Sequence, residues 1–567
     1  MLANGGSRER DKGREICYPR RRKSIPKSCL LGSSSILRPP VRPLPENIRE
    51  IILAKTLLRS TALVGQMTLI SRILGLVRDS LIAAVFGAGG AMDAFVVAFR
   101  VPNFFRRLFA EGAFSQAFIP VLSHYRSSSS DAELRKLIDA VFSTLAMVVM
   151  ALVTVGIFAS PYIITLFAPG FAQDPHQFML GVELLRLTFP YLLFIALTAL
   201  LSGVLNTFGR FAVPAVTPAL LNVAFILATV WLAPKLEEPI VALGIGVFVG
   251  GCLQLGIQLL AVWRLGMLPR LRLRPRHPAV RRIMGLMGPA VFGVSIAQIN
   301  FLVDTFIASF LQPGSISWLY YADRLMEFPL AIFGIALGTV ILPTLSRHHA
   351  KGDAEMFSAT MDFALRNVLT ATIPAAVGLC VLAEPLMSTL FQYGKFDSHD
   401  AEMAAAALRA YAFGLTGFIM VKVLAPGFYA REDTRTPVRV GLIAMVANLI
   451  GCLALSGLFE HAGLALATSI AAFVNGGLLL RQLIRMEAYR PLPGWWGHAL
   501  RVGGASLLMG LTLGFATTFV DNWGAYSLLP RASLLGCFVL GGVAIYGVTA
   551  RLSGLRISDM AHAEARL

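Results

Sequence analysis

The sequence contains few charged residues for its length. Charged side chains make up 14% of its 567 residues, whereas soluble domains carry about 25%. Hydrophobic side chains make up 56% of the chain. The six cysteines are scattered and form no CxxC pair, which argues against a disulfide framework and against a cysteine-based metal site. This composition excludes an ordinary soluble protein and a disulfide-stabilised secreted domain.

Catalytic signatures are missing as well. The sequence contains no HExxH zinc motif, no P-loop GxxxxGK[ST] and no GxSxG in a strand-to-helix setting. ATP hydrolysis within this chain is therefore not expected. The sequence predicts a protein that is not an enzyme.

Long apolar runs are abundant instead. Runs of about 20 apolar residues, the length that spans a bilayer as an α-helix, recur from Thr61 onward. Single strands cannot span, because every backbone polar group must be satisfied internally. We therefore predict an all-α polytopic membrane protein with about 14 transmembrane helices. The predicted spans lie near 61–86, 91–117, 138–159, 180–205, 213–233, 240–263, 283–311, 317–345, 358–382, 403–429, 438–457, 463–484, 498–519 and 532–552.

Positive charge follows the loops between these runs. The formal net charge of +18 would also fit a nucleic-acid binder, but Lys and Arg concentrate in every second loop. Basic loops of membrane proteins face the cytoplasm. We therefore predict that both termini are cytoplasmic and that the protein does not bind nucleic acid.

Residues 1–54 differ from the rest of the chain. They are rich in Arg, Ser and Pro and contain the basic run RRRK at 20–23. We interpret them as a disordered basic extension. A targeting tail or a patch that binds anionic lipids is the alternative interpretation.

The sequence repeats itself at an offset of about 223 residues. FIPVLS at 118–123 resembles ILPTLS at 341–346, and NTFGR at 206–210 resembles the segment from Tyr429 at the same offset. An even number of spans per copy keeps both copies in one orientation, as in the parallel repeats of many transporters. Duplicated structure without transport, as in a membrane enzyme or a scaffold, is the alternative. The predicted organisation is an N-terminal lobe at 55–266 (spans 1–6), a C-terminal lobe at 267–490 (spans 7–12), and spans 13 and 14 with a tail at 491–567.

Predicted spans one, two and eight together carry a cluster of charged residues. A charge at the bilayer centre costs roughly 2.5–3.5 kcal/mol on insertion scales, so this many charges cannot all face lipid. Arg72 and Asp79 are seven residues apart, about two helical turns, and therefore project the same way. Guanidinium groups match phosphate oxygens bidentately, so the cluster predicts a cavity for a diphosphate. The charges are Arg72, Arg78, Asp79, Asp93, Arg100, Arg106, Arg107, Glu111, Asp323, Arg324 and Glu327.

Some members of this cluster also fit a structural role. Arg107 with Glu111, and Arg324 with Glu327, have the spacing of ion pairs on one helix. Asp304 stands apart in span seven. A lone intramembrane carboxylate suggests coupling to Na⁺ or H⁺, but an acid hydrogen-bonded to neighbouring helices is an equal alternative.

Long segments of the chain resemble the MurJ (MviN) family of lipid II flippases, in the multidrug/oligosaccharidyl-lipid/polysaccharide exporter superfamily. The resemblance runs from about Lys55 to the C-terminus. The segments include RRLFAEGAFSQAF at 106–118, YYADRLMEFP at 320–329, FQYGKF at 391–396 and KVLAPGFY at 422–429. Shorter matches are 71–75, 78–79, 86–89 and 93–95.

This resemblance implies a two-lobed fold of fourteen helices in a bacterial inner membrane. It implies export of lipid II, the undecaprenyl-diphosphate-linked peptidoglycan precursor, from the cytoplasmic to the periplasmic leaflet. Spans 13 and 14 would form a groove for the lipid tail, and peptidoglycan-synthesis or division proteins are candidate partners. The implied substrate-binding residues are Arg72, Arg78, Asp93, Arg106 and Arg324, supported by Asp79, Arg100, Arg107, Glu111, Asp323 and Glu327.

The resemblance implies no cofactor beyond Na⁺ or H⁺ coupling. Some family members bind Na⁺ through an acid in span seven, which Asp304 resembles. Their second acid, in span eleven, has no counterpart here, because Cys452 stands four residues after Asn448. Alternatives to a lipid II flippase are an exporter of another polyprenyl-linked glycan or a drug, a membrane enzyme acting on the same lipid, and a non-transporting scaffold of wall synthesis.

Overall fold

The structure is a computed structural model that describes residues 46–107, 113–272, 277–520 and 522–555. Contacts divide the chain into two units, Met1–Leu58 and Arg59–Leu567. Of the predicted extension, residues 1–45 lie outside the described residues, and 46–54 belong to the first helix. All that follows concerns the second unit.

Nine α-helices, of which the first is counted only from Arg59 onward, make up what we call the N-terminal half of this unit. Asp174 starts α6, because its side chain accepts hydrogen bonds from the backbone N–H groups of His176 and Gln177. The helices are α1 (Glu46–Phe86), α2 (Gly90–Arg106), α3 (Ala113–Ser128), α4 (Asp131–Phe158), α5 (Ser160–Phe167), α6 (Pro175–Thr188), α7 (Tyr191–Thr207), α8 (Ala212–Leu227) and α9 (Val241–Arg264).

The C-terminal half and a final helix pair complete the fold. The C-terminal half consists of α10 (Pro278–Ala308), α11 (Ser315–Ala350), α12 (Ala354–Val381), α13 (Ala383–Phe391), α14 (Ser398–Tyr429) and α15 (Arg435–Arg485). The final pair is α16 (Trp495–Thr517) and α17 (Leu528–Leu552).

The structure confirms an all-α membrane fold, since the described residues contain helices and no strand. Nine helices within the described ranges are long and apolar enough to cross a membrane by length and composition. Helices α1, α2, α10 and α11 are not among these nine. They are the helices that hold most of the predicted charged residues, and the number of fourteen spans stays a prediction.

Several predicted spans have different boundaries in the structure. The span predicted at 180–205 lies within one candidate span, Pro175–Thr207, in which α6 and α7 meet at Pro190, a residue that cannot donate a helical hydrogen bond. Of the span predicted at 91–117, the structure describes α2, which ends at Arg106, and the part of α3 that begins at Ala113, while residues 108–112 lie outside the described residues. The spans predicted at 438–457 and 463–484 form the single element α15, which is interrupted at Glu460 (φ 49°, ψ −130°). Sequence reasoning missed the short helices α5 and α13.

Helix boundaries reproduce the repeat seen in the sequence. Helix α4 begins at Asp131 and α12 begins 223 residues later at Ala354. The same offset relates the starts of α5 and α13, of α6 and α14, and of α8 and α15. The two halves therefore share one order of long and short helices.

Gly394 allows the two halves to approach closely. Its φ is +58°, a region that L side chains avoid. A Cβ at this position would overlap the backbone oxygen of Ala84 at the end of α1, and the next residue, Lys395, donates its backbone N–H to that oxygen at 2.8 Å. No side chain fits at this position without moving one half from the other.

We expect Gly394→Ala to destabilise the protein by more than about 1 kcal/mol, because it combines a positive φ with a backbone overlap. The measurement is the thermal unfolding midpoint in detergent. Gly441→Ala is the matched control, since Gly441 lies within α15 and a Cβ there meets nothing within 4 Å. The control should unfold at the same temperature or higher. Equal midpoints for Gly394→Ala and the wild type would contradict this account of the contact.

Candidate functional site

A polar cavity of about 480 Å³ lies between the two halves. Helices α1, α2, α7, α8 and α9 line it from one side, and α10 and α11 line it from the other. Its charged lining consists of five arginines and two acids. Its polar and charged lining residues are Arg78, Arg100, Asn103, Arg106, Arg107, Tyr191, Asn222, Gln254, Tyr320, Asp323, Arg324 and Glu327.

Arg78 is held rigidly at the inner wall of this cavity. Its Nε and Nη2 donate to Asp79 Oδ1 at 2.9 and 2.6 Å, and its Nη1 donates to Asn222 Oδ1 at 2.8 Å. Asn222 is fixed in turn, because its Nδ2 donates to the backbone oxygen of Ser71 at 3.0 Å. The guanidinium also lies 5.3 Å from the ring centroid of Phe225, a cation–π distance.

Arg324 faces the same carboxylate from α11. Its Nε lies 3.6 Å from Asp79 Oδ2, and Asp79 Oδ1 also accepts a hydrogen bond from the Tyr320 hydroxyl at 3.2 Å. Arg324 contacts Glu327 Oε2 at 3.3 Å through Nη1. Its buried Nε has no hydrogen-bond partner. Asp79 therefore joins α1 to α11 through Arg324 and Tyr320.

The other arginines extend the positive surface along α2. Arg106 donates from Nε to Asn103 Oδ1 at 2.6 Å, and Arg107 lies 4.0 Å from Glu327 Oε1. Arg100 donates to the Thr305 hydroxyl of α10. Side-chain exposure rises from 10% at Arg78 to 30% at Arg107 and 40% at Glu327. The cavity is thus open to solvent at the end marked by Arg106 and Arg107, which we call the open end.

Asp93 does not line the cavity. Its carboxylate is buried at the start of α11, where Oδ2 accepts from Gly314 N at 2.7 Å and Oδ1 accepts from Ser317 N and Oγ at 2.8 and 2.6 Å. Gly314 has a φ of +101°, which presents its N–H to the acid. The geometry gives Asp93 a contact between the halves. A role in binding the substrate stays a prediction.

The remaining predicted residues are distributed differently. Asp323 lines the cavity beside Arg324. Arg72 is exposed and is not part of the cavity lining. Glu111 lies outside the described residues. The structure therefore brings seven of the predicted charges to the cavity lining, with Asp79 directly behind them; the seven are Arg78, Arg100, Arg106, Arg107, Asp323, Arg324 and Glu327.

Asp304 forms a separate buried polar group beside Arg100's partner Thr305. Its Oδ1 accepts from Asn448 Nδ2 at 2.9 Å and lies 3.5 Å from Cys452 Sγ. Its Oδ2 accepts from the Thr468 hydroxyl at 3.3 Å. Asn448 Oδ1 is buried without a hydrogen-bond partner. Asp304, Asn448 and Thr468 offer oxygens of the kind that hard cations prefer. Cys452 offers only a thiol.

Sequence reasoning missed the uncharged polar lining. Asn222 and Gln254 occur in apolar helices, and each accepts or donates hydrogen bonds within the site: Asn222 holds Arg78, and Gln254 Oε1 accepts from the Tyr191 hydroxyl at 3.3 Å. Isolated amide side chains within apolar runs could have indicated polar lining residues, but their spacing does not show which helix face they occupy.

Comparison with known proteins shows the family of this chain. The family model described as lipid II flippase MurJ matches residues 82–534. The probable lipid II flippase MurJ of Vibrio cholerae is 45% identical over 518 residues, which cover 90% of this chain and 99% of the relative. The lipid II flippase MurJ of Burkholderia cenocepacia is 43% identical over 500 residues, which cover 87% and 96%.

Solved structures show the same fold. A lipid II flippase MurJ in an inward closed conformation superposes with a TM-score of 0.74 at 29% identity, covering 87% of this chain and 98% of that one. A multidrug resistance MATE family transporter of the MOP superfamily, inward-facing, gives a TM-score of 0.63 at 12% identity over 75% of this chain and 98% of that one. The second likeness shows the fold alone.

The fold and the charged cavity between its halves define a membrane transporter. The extent of the family match and the identity to full-length relatives also identify the family. The chain belongs to the lipid II flippase MurJ family.

We expect Asp79→Asn to lower the stability of the protein by about 1–3 kcal/mol, because buried donors of Arg78 and Arg324 lose a shared charged acceptor. The measurement is again the thermal unfolding midpoint. Glu327→Gln is the matched control at the open end of the cavity, where a half-exposed ion pair contributes about 0–1 kcal/mol. A larger loss for Glu327→Gln than for Asp79→Asn would contradict the central place of Asp79.

Proposed function

We propose that this protein is a lipid II flippase that carries the undecaprenyl-diphosphate-linked precursor from the cytoplasmic to the periplasmic leaflet by alternating access. The observation that carries the proposal is the excess of positive charge in the cavity between the two halves, whose lining carries five arginines and two acids. A diphosphate group would offset this excess.

The charge of the cavity supports an anionic guest. Its lining carries five arginines against Asp323 and Glu327. Arg78 is held in place by Asp79 and Asn222, so it fixes the positive wall. Arg324, Arg106 and Arg107 lie nearer the open end, where a headgroup enters. Arginine pairs bind phosphates through two parallel N–H donors, which adds geometric selectivity to charge.

Alternating access follows from the location of this charge. The arginines belong to both halves, so their mutual repulsion opposes closure of the open end until an anion lies between them. Binding of a diphosphate neutralises the repulsion and allows the halves to rock. Export of an anion is favoured by a membrane potential that is negative inside, by about 2.3 kcal/mol per charge per 100 mV.

The final helix pair supports a place for the lipid tail. Helix α16 packs against the end of α12 through Leu382, Met509 and Leu513. The outer sides of α16 and α17 expose large apolar side chains such as Phe515 and Leu540. We propose that residues 491–567 hold the polyprenyl chain while the headgroup is in the cavity between the lobes 55–266 and 267–490.

The remaining parts of the proposal concern the cell. The protein lies in the bacterial inner membrane with both termini in the cytoplasm, as the basic loops indicate. It performs no chemistry on its cargo. Peptidoglycan-synthesis or division proteins are its proposed partners.

Depletion of the protein should lower the amount of labelled lipid II in the periplasmic leaflet. The measurement is a leaflet-specific assay in cells whose only lipid II flippase is this protein. Restoring Arg324→Ala at normal membrane abundance should lower flipping by about tenfold or more, because bonds to charged groups are worth about 1.5–3 kcal/mol. Arg264→Ala, which removes an exposed charge at the end of α9, is the matched control and should restore flipping fully.

Two outcomes would count against this function. Undiminished periplasmic lipid II after depletion would exclude flipping by this protein. Loss of a different polyprenyl-linked glycan or of a drug from the outer leaflet, with lipid II unchanged, would favour an exporter of that compound.

We further propose that Asp304 exchanges the coupling cation, either Na⁺ or H⁺, with Asn448 and Thr468 as its partners. Asp304→Asn should lower flipping in proteoliposomes roughly tenfold, within the range of coupling between sites. Replacing Na⁺ with choline at constant pH, and imposing a pH gradient without Na⁺, distinguishes the two ions. Thr165→Val is the control, since its hydroxyl only bonds its own helix. Wild-type flipping by Asp304→Asn would contradict a coupling role.

A further inference from the structure

The end of the cavity opposite Arg106 and Arg107 is closed by contacts between the two halves, and we call it the sealed end. Gly170, after α5, donates its backbone N–H to Ser309 Oγ at the end of α10 at 3.1 Å. Lys395, after α13, donates its backbone N–H to the Ala84 oxygen of α1 at 2.8 Å. Each half thus places the loop after its short helix against the end of the other half's first helix.

Asp93 adds a carboxylate to the seal from the N-terminal half. It accepts three hydrogen bonds from Gly314 and Ser317, which begin α11 in the C-terminal half. All three donors are N–H or O–H groups. Asp93 therefore fixes the first turn of α11 against α2.

Asp400 makes the reciprocal contact, from the C-terminal half to the N-terminal half. It lies in the first turn of α14 and is 7% exposed. Its Oδ2 accepts from the backbone N–H of Ala88, between α1 and α2, at 3.2 Å. Its Oδ1 accepts from Trp318 Nε1 at 2.9 Å, and Trp318 directly follows Ser317. The two carboxylates therefore meet on consecutive residues of α11, one from each half.

The repeat shows that the fold alone does not require a carboxylate at Asp400. Gln177 lies 223 residues earlier, in the first turn of α6. Its Nε2 donates to the backbone oxygen of Gly90 at 3.2 Å, within its own half. The side chain at the equivalent position thus bonds within its own half, whereas Asp400 also accepts a hydrogen bond from the other half.

We infer that Asp400 is a positioning residue for transport: with Asp93 it forms a reciprocal two-carboxylate latch that holds the sealed end closed and must release for the cavity to open there. Hydrogen bonds to neutral donors can be exchanged for bonds to water as the halves separate. Buried ion pairs would release at far greater cost. The latch is thus strong enough to close the cavity and weak enough to open in each cycle.

Hydrogen exchange of the full-length protein in lipid nanodiscs tests the latch without any cargo. Asp400→Asn keeps the size of the side chain but leaves one acceptor oxygen for two donors. Backbone exchange should rise about tenfold in both 84–90 and 312–318, because loosening one carboxylate frees the turn that the other also holds. Flipping of lipid II by this variant should fall as well, a part of the inference that rests on the proposed function.

Two matched controls separate the latch from local helix stability. Asp397→Ala removes the cap of α14, where Asp397 Oδ1 accepts from Asp400 N at 2.9 Å. Gln177→Ala removes the equivalent bond within the N-terminal half. The Asp397 control should raise exchange near 397–401 only, and the Gln177 control near 90 only. If Asp397→Ala raised exchange in 312–318 as much as Asp400→Asn did, the latch would be refuted.

A second variant carries the test if Asp400→Asn does not fold. Trp318→Phe removes the Nε1 donor but keeps a ring against His461, whose centroid lies 4.9 Å away. It should raise exchange in 84–90 by a few-fold. Unchanged exchange in 84–90 for Trp318→Phe, or in 312–318 for Asp400→Asn, would overturn the inference. If the variants show the expected rise in exchange but the wild-type protein flips no lipid II, the proposed function is refuted and the latch is still supported.

Discussion

The need to keep charge away from lipid determines the architecture of this protein. Five arginines line one cavity, and the acid directly behind them, Asp79, is shared between α1 and α11. Because neither Arg78 nor Arg324 could remain in a membrane alone, the helices that carry them must face each other. The two halves are therefore joined at the site itself. Apolar helices surround this centre and face the membrane.

Sequence reasoning could identify the class, the repeat and most of the cavity charges, because these depend on composition and on spacing along one helix. It could not decide which charges face the cavity. Arg72 and Asp93 fit the pattern as well as Arg78 does, yet Arg72 is exposed and Asp93 holds the start of α11. Helical spacing gives the direction of a side chain relative to its own axis only. The rotation of the helix against its neighbours is a tertiary property. The sequence did not indicate a role for Asp400 either, because its contacts with Ala88 and Trp318 also depend on how the helices pack.

The two ends of the cavity carry different kinds of polar group. The sealed end relies on carboxylates that accept from neutral donors, whereas the open end presents guanidinium groups from α2 and α11. Helix α11 belongs to both ends: Ser317 lies in the latch and Arg324 lies in the cavity two turns further on, about 10 Å along the axis. A rigid helix cannot move at one end alone. An anion that draws Arg324 toward α2 therefore acts on the same helix that the latch holds.

This connection has a thermodynamic consequence for the order of binding and opening. If an anion in the cavity favours release of the sealed end, release of the sealed end must favour the anion by the same factor. A latch that was too stable would leave the anion bound without movement. One that was too weak would open the cavity before any anion had neutralised the arginines. Neutral donors at Asp93 and Asp400 provide an intermediate strength, since they resist opening while the cavity is empty and yield once the repulsion between the halves has been removed. The closed seal of this structure, together with the excess of arginines over acids in the cavity, is the state that such a cycle requires before cargo binds.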